Sequence, residues 1–325
     1  MYLFCSLIAL AAGFVLDIFL GDPQWMPHPV RWIGRLISFL EKAIRPRFPK
    51  TQRGERLGGL CLVVIVLFVS AGVPLGILMG AYALHPVAGA AVETVFCYWM
   101  LAGRCLTKES MAVARALKTG TLEDAQRQVG RIVGRDTEHL TEDGVIRAAV
   151  ETVAENTCDG VVAPIFFMAL GGVPLGFFYK AANTMDSMLG YRNETYRNFG
   201  WMAARLDDIL NWIPARISAV LMIFSAFMLG FDGRNALKIW WRDRYCHKSP
   251  NSAQTESVCA GALRIRLAGD AWYFGELVEK PTIGDPIRPV RVGDIRRANG
   301  LLWGTAVLSL LCVVAVKLPL ALCFW

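Results

Sequence analysis

AAVETVAENTCDGVVAPIFF, from Ala148 to Phe167, is the stretch whose reading decides the fold. Its first half has the spacing of a charged amphipathic helix. Its second half is apolar enough for a bilayer. Glu151, Glu155 and Asp159 stand four residues apart where the two halves meet. On a helix they share one stripe over about 12 Å of axis, with a like-charge repulsion of a few tenths of a kcal/mol. A solvated helix end tolerates that. At the lip of a membrane segment, ionisable groups instead face a cavity or a partner. Such a stripe suits Mg²⁺, which takes one or two carboxylates together with phosphate oxygens.

The rest of the chain supports the membrane reading. It has 325 residues, 54% of them hydrophobic, and a mean hydropathy of +0.40. Six runs are apolar enough to span: 1–20, 57–80, 86–103, 160–179, 213–231 and 300–325. The expected fold is an all-α integral membrane protein, a multi-pass helical bundle of about five or six spans. It forms one polytopic domain over residues 1–325. Gly171, Gly172 and Pro174 interrupt the fourth run, which also reads as a re-entrant pair of half-helices. The first run has no basic leader and contains Asp17, so an uncleaved helix is expected there.

The net charge of +7 sits outside the spans. Connections 31–56 and 104–158 hold eight Lys/Arg each, 180–212 holds four, and 234–299 holds twelve. Positive connections stay in the cytoplasm, so 31–56, 104–158 and 234–299 are assigned there. The side taken by 180–212 depends on whether 160–179 crosses. Because topology accounts for the charge, no nucleic-acid partner is expected. Nine cysteines show no C-x-x-C pair, and the four histidines are far apart. Neither disulfides nor a zinc site is expected. In 104–158, LTKESMAVARALKTG is helical with a glycine stop. Thr121-Leu-Glu-Asp reads as a capping box, and Thr141-Glu-Asp-Gly opens the helix of the quoted stretch. The segment 245–297 reads as irregular chain with a small hairpin near Ala262–Leu267.

Polar residues recur at the ends of the spans. In YKAANTMDSMLG, Lys180, Asn183 and Ser187 share a face with Asp186 beside them. They read as a snorkelling lysine with a cap, or as a grip on a phosphate or carboxylate. In RLDDILNWIPAR, Asp207, Asp208 and Asn211 precede Pro214. A helix cap and an oxygen-ligand site for Mg²⁺ weigh about evenly there, and Arg216 snorkels or pairs with Asp208. GDPQWMPHPVR holds Asp22, His28 and Arg31 on a stiff proline turn. SPNSAQTES carries Ser249, Asn251 and Glu256. Neither G-x-x-x-x-G-K-[ST] nor G-x-G-x-x-G occurs.

The ordered set GDPQWMPHPVRWIG, GRDTEHL with AAVETVAENTCDGVVAPIFF, YKAANTMDSMLGY, NFGWMAARLDDILNWIPARI and SPNSAQTES with CAGAL resembles the CbiB/CobD family of cobalamin-biosynthesis proteins, the cobinamide-phosphate synthases. The set spans residues 17 to 276. After CAGAL the chain departs from the family pattern with Arg264-Ile-Arg-Leu-Ala-Gly-Asp. The resemblance implies a multi-pass ligase of the bacterial inner membrane with its active site facing the cytoplasm. The reaction it implies joins aminopropanol, or its O-phosphate, to a propionate of adenosylcobyric acid with consumption of ATP and Mg²⁺. Other late cobalamin-pathway enzymes are candidate partners.

On this reading Glu155, Asp159, Asp207 and Asp208 are the candidate Mg²⁺ ligands. Lys180 and Arg216 steady phosphate. Asn156, Asn183 and Asn211 orient the amide-forming groups, and Glu151 or Asp186 serves as base. Asp22, His28, Arg31, Ser249, Asn251 and Glu256 complete the binding set. Two other classes fit an intramembrane set of polar residues: a transporter of a corrinoid or other solute, and a non-catalytic scaffold for cobalamin enzymes.

Overall fold

The computed structural model describes residues 2–22, 25–191 and 193–323. Pro23 and Gln24 of the proline turn lie outside the described residues. In chain order the helices are α1 (Tyr2–Leu20), α2 (Pro29–Ile44), α3 (Gln52–Leu84), α4 (Pro86–Met100), α5 (Gly103–Thr119), α6 (Leu122–Val129) and α7 (Glu142–Thr157). After a π-turn at Cys158–Val162 come α8 (Ala163–Leu189), α9 (Trp201–Leu210), α10 (Trp212–Met228), α11 (Gly233–Asp243) and α12 (Ser252–Leu263). Four short strands follow, β1 (Leu267–Ala268), β2 (Ala271–Tyr273), β3 (Glu276–Val278) and β4 (Thr282–Ile283), and then α13 (Gly293–Cys323).

This is a multi-pass helical membrane protein. Four helical stretches are long and apolar enough to cross a bilayer: Gln52–Leu84, Pro86–Thr119, Glu142–Leu189 and Gly293–Cys323. The count is five if α9 and α10, bent by 46°, are taken as one. Helix is present at all six of the expected runs. Inside α8 the break falls at Gly171 and Gly172, the latter at φ 67°. A Cβ makes that backbone costly, and Pro174 withholds the next donor.

Helix starts follow local chemistry. Thr121 and Asp124 form the expected capping box of α6, and Thr141 caps α7 through the Gly144 amide. The tripeptide His-Pro-Val occurs at residues 28–30 and 85–87, and both copies open a helix in the same way. His28 Nδ1 accepts from the Val30 amide (3.3 Å) and His85 Nδ1 from the Val87 amide (3.2 Å). Each proline occupies the first helical position, where its missing N–H costs nothing.

The chain folds as two compact units. One comprises the described residues within 1–102, 163–211 and 312–325, the other those of 103–162 and 212–311. In the first, α3 packs on α4 and α8, and α1 packs on α4. Glu93 is buried in α4 and accepts from the Tyr82 hydroxyl at 2.5 Å. Gly59 of α3 lies against the Phe199 carbonyl, leaving no room for a Cβ.

In the second unit α7 runs through the core, packed by α5, α6, α12 and β1. Here the structure corrects the reading of 245–297 as irregular chain. SAQTESVCAGAL is helical, and every residue from Ala253 to Leu263 is buried. The hairpin is formed not by Ala262–Leu267 but by β2 and β3, while β1 pairs antiparallel with β4. Small side chains let α12 approach α11 closely, with Gly261 against the Asn235–Ala236 backbone. Its polar groups are satisfied inside the unit. The Gln254 amide carbonyl accepts from Trp240 Nε1 (2.9 Å), and its nitrogen donates to the Arg244 and Pro250 carbonyls. At the end of α11 the buried Asp243 carboxylate pairs with Arg242 and accepts the Gly284 amide at 2.8 Å. Burial alone raises the Asp243 pKa, but those hydrogen bonds outweigh it and hold the carboxyl below its ordinary range.

Two outcomes follow from this packing. Gly59→Ala should lower the thermal midpoint in detergent by a loss of about 1–3 kcal/mol. Gly72→Ala, on the same helix with nothing within 4 Å of a new Cβ, should not. Asp243→Asn should be less stable than the native chain at neutral pH. Because the folded pKa is depressed, that gap should close as pH falls through the carboxylate range. A gap that is constant from neutral to acid pH would show that the ion pair does not stabilise the fold.

Candidate functional site

The acidic stripe opens onto a cavity of about 350 Å³ within the second unit. Glu151, Glu155 and Asn156 of α7 line it together with His247, Ser249 and Glu256. Asp159 does not. It lies in the π-turn, whose wider spacing takes the third acid off the i, i+4 stripe. Lys248 and Lys280 bring two ammonium groups to the same space.

Four glutamates line the cavity, Glu279 from the segment beyond β3 being the fourth, and Glu151, Glu155 and Glu256 have different surroundings. Glu151 is held on both oxygens: one pairs with Arg135 at 2.8 Å, and the other accepts the Ala268 amide at 2.7 Å. Glu256 is 4% exposed and faces His247 Nε2 at 2.8 Å. Burial raises the Glu256 pKa, and nearby Glu155 and Glu151 add to that against the opposing pull of His247. For His247 burial acts downward, but the Glu256 carboxylate outweighs it and raises the imidazole pKa. The two groups therefore titrate as a pair. Glu155 makes no hydrogen bond or ion pair among the described residues, so its carboxylate is open to the cavity.

The cations are placed by the loops. Arg135 belongs to GRDTEHL, and its buried Nε has no hydrogen-bond partner among the described residues. The neighbouring Asp136 accepts the Gly275 amide at 2.7 Å, which ties down the β2–β3 hairpin. Lys280, just beyond β3, donates to the Tyr273 hydroxyl at 2.5 Å and lies over the ring of Tyr273. Arg216 is not in the cavity. It donates to the Trp212 carbonyl and to Asn251 Oδ1 (3.3 Å), and the Asn251 amide donates to Ser249 Oγ.

The other expected residues belong to the first unit. There Asn183 and Asn211 donate to the two oxygens of the buried Asp207 carboxylate, at 3.2 and 3.1 Å, and Tyr179 donates to Asn211 Oδ1. Asn211 follows α9 as its C-cap, and its side chain serves this network. Lys180 and Asp186 lie on α8 and Asp208 on α9. His28, with Nδ1 accepting, carries its ring proton on Nε2, which stands 3.4 Å from Asp22 Oδ1. That contact lacks hydrogen-bond geometry. Arg31 lies on the exposed side of α2.

Among the described residues, no three His, Cys, Asp or Glu side chains gather as a metal cage. The cavity fits Mg²⁺ in another way. Glu155 supplies one open carboxylate, while Arg135, Lys248 and Lys280 bring positive charge to the lining, so a cation that brings its own phosphate oxygens is matched. Sequence reasoning passed over Arg135, His247, Lys248 and Lys280. The available signals were that Arg135 lies in GRDTEHL and that His247-Lys248 directly precede SPNSAQTES.

A family model described as CobD/Cbib protein matches residues 10–302. The cobalamin biosynthesis protein CobD of Klebsiella pneumoniae is 47% identical over 312 residues, 96% of this chain and 98% of its own. CobD of Clostridium perfringens is 44% identical over 96% of this chain and 98% of its own. The cobalamin biosynthesis protein CbiB of Salmonella typhimurium is 45% identical over 97% and 99%. No solved structure matches the chain. With a family model over most of its length and relatives aligned nearly end to end, the chain belongs to the CobD/CbiB family.

Proposed function

We propose that this protein is an ATP- and Mg²⁺-dependent amide ligase of cobalamin biosynthesis, adenosylcobinamide-phosphate synthase, in the bacterial inner membrane. It would join (R)-1-amino-2-propanol O-phosphate, or free aminopropanol, to a propionate carboxylate of adenosylcobyric acid. The names of near-full-length relatives support the pathway. The observation that carries the reaction is the cavity of the second unit, where the open carboxylate of Glu155, the buried Glu256–His247 pair, Glu279 and two lysines line about 350 Å³. That volume suits a phosphate terminus and a small amino alcohol. A corrinoid is several times larger, so its macrocycle stays outside and only the propionate reaches in.

In the proposed reaction the γ-phosphoryl group of ATP passes to a propionate oxygen and ADP leaves. The amine nitrogen then attacks the acyl carbon, forming C–N and releasing phosphate. Lys248 and Lys280 hold phosphate oxygens, and the Arg135 guanidinium beside them adds positive charge to the lining. Glu155 would hold a Mg²⁺ that arrives with the nucleotide, and the metal would supply charge neutralisation for the transferring phosphoryl group. The His247–Glu256 pair takes the proton from the attacking amine, a role suited to a pair raised toward neutrality. Glu151, engaged on both oxygens, acts as the strut that holds Arg135. Asn156 and Ser249 orient the substrates. In the other unit Asp22, His28, Arg31, Lys180, Asn183, Asp186, Asp207, Asp208 and Asn211 are retained as candidate binding groups. The cavity is lined from 104–158 and 234–299, connections rich in Lys/Arg, which supports a cytoplasmic opening.

The direct test incubates the purified chain with adenosylcobyric acid, ATP, Mg²⁺ and either amine, and follows the corrinoid by mass spectrometry. An ATP-requiring gain of the amine is expected. No product with either amine from folded protein refutes the ligase. Glu155→Gln should raise the Mg²⁺ concentration for half-maximal rate roughly tenfold or more. Glu256→Gln should lower kcat by about 10²–10⁴-fold. In the native chain activity should fall as pH drops through the titration of the pair, because the amine then has no base to take its proton. A Glu256→Gln variant that keeps the same acid limb would assign that limb to another group.

A further inference from the structure

The amphipathic helix α2 carries, beyond Arg31, basic residues that the reaction does not use. Arg31, Arg35, Ser38 and Lys42 fall on one stripe of its surface, at spacings of four, three and four residues. The opposite stripe, Pro29, Ile33 and Ile37, is buried. Between the two lie Trp32 and Phe39, 51% and 67% exposed. The basic stripe borders an open groove of about 490 Å³, closed on its far side by Met188 of α8. All of these residues lie within the first unit. Gly34 leaves the groove without a side chain between α2 and Met188: a Cβ there would stand 3.6 Å from Met188 Sδ, at ordinary van der Waals contact. No carboxylate lines the groove. Arg35 and Lys42 make no ion pair among the described residues.

We propose that this groove binds the headgroup of an anionic phospholipid of the surrounding bilayer. The placement of α2 supports a lipid rather than a soluble anion. The helix is joined through residues 21–28 to the apolar α1 and through residues 45–51 to the apolar α3, so both of its ends stand at the mouth of an apolar helix. With 16 residues it is too short to cross. A helix with one cationic stripe flanked by exposed Trp and Phe is built to lie in the interface, with rings at the acyl boundary and cations at the phosphates. Arg35 and Lys42, in a groove that no carboxylate lines, match a net negative headgroup and give no advantage to a zwitterionic one. The site does not depend on which reaction the protein performs.

The test uses the full chain in mild detergent. Retention of phosphatidylglycerol and of phosphatidylcholine is titrated by native mass spectrometry, for the native chain, Arg35→Gln/Lys42→Gln and Gly34→Leu. The native chain should retain phosphatidylglycerol in preference. The double variant, which removes two exposed charges, should weaken that binding by about 30-fold. Gly34→Leu, which fills the groove without altering charge, should weaken it too. Equal retention of the two lipids by the native chain overturns the proposal. So does native affinity in either folded variant. Displacement of phosphatidylglycerol by millimolar inorganic phosphate would assign the groove to a free anion and also overturn the lipid site. Should neither variant fold, the headgroup preference of the native chain decides the matter.

Discussion

A carboxylate placed in the middle of a fully buried helix must find a partner, and the cavity is organised around the solution to that requirement. Glu256 sits on α12, where every neighbour is also buried. Its partner, His247, comes from the turn that precedes the same helix. The pairing draws residues 246–249 against α7 and so brings Lys248 and Ser249 to the stripe that carries Glu151 and Glu155. Leaving Glu256 buried without the imidazole would cost several kcal/mol. The turn is therefore held by electrostatics as much as by packing.

The remaining walls are set by polar groups of the backbone. Glu151 accepts the Ala268 amide, and Asp136 accepts the Gly275 amide. These two carboxylates, from the segments around α7, pin β1 and the β2–β3 turn, between Tyr273 and the segment that leads to Lys280. The same groups fix Arg135, which Glu151 holds with its second oxygen. In this way one acid of the stripe is engaged on both oxygens and its neighbour, Glu155, stays open. The division of labour follows from what each carboxylate faces, since the two occupy equivalent positions one turn apart on one helix.

The first unit handles buried polarity differently. Asp207 there receives two amide donors, Asn183 and Asn211, and Tyr179 extends the chain of hydrogen bonds. Such a network is stable in a low-dielectric setting only when its members satisfy one another. It joins Tyr179 and Asn183 of one polar segment to Asp207 and Asn211 of the other. The two segments are separated in sequence and meet where α8 packs on α9.

The sequence by itself determined the class of fold, the position of the apolar helices, the caps of α6 and α7, and the break at Gly171–Gly172. All of these rest on local quantities: hydropathy over about 20 residues, the 3.6 period, and side chains that reach the first helical turn. It also carried the family, through ordered short segments. It did not reveal that SPNSAQTES opens a buried helix, because a polar helix reads as a loop until its hydrogen-bond partners on α11 and its flanks are known. Nor did it separate Asp159 from the acidic stripe, since one π-turn shifts the register without a distinctive residue pattern. The roles of His247, Lys280 and Arg135 were decided by tertiary structure. His247 lies nine residues from Glu256 and Arg135 sixteen from Glu151, but what faces each pair comes from far along the chain: Asp136 anchors Gly275 across 139 residues. Contacts over that separation leave no local periodicity to read.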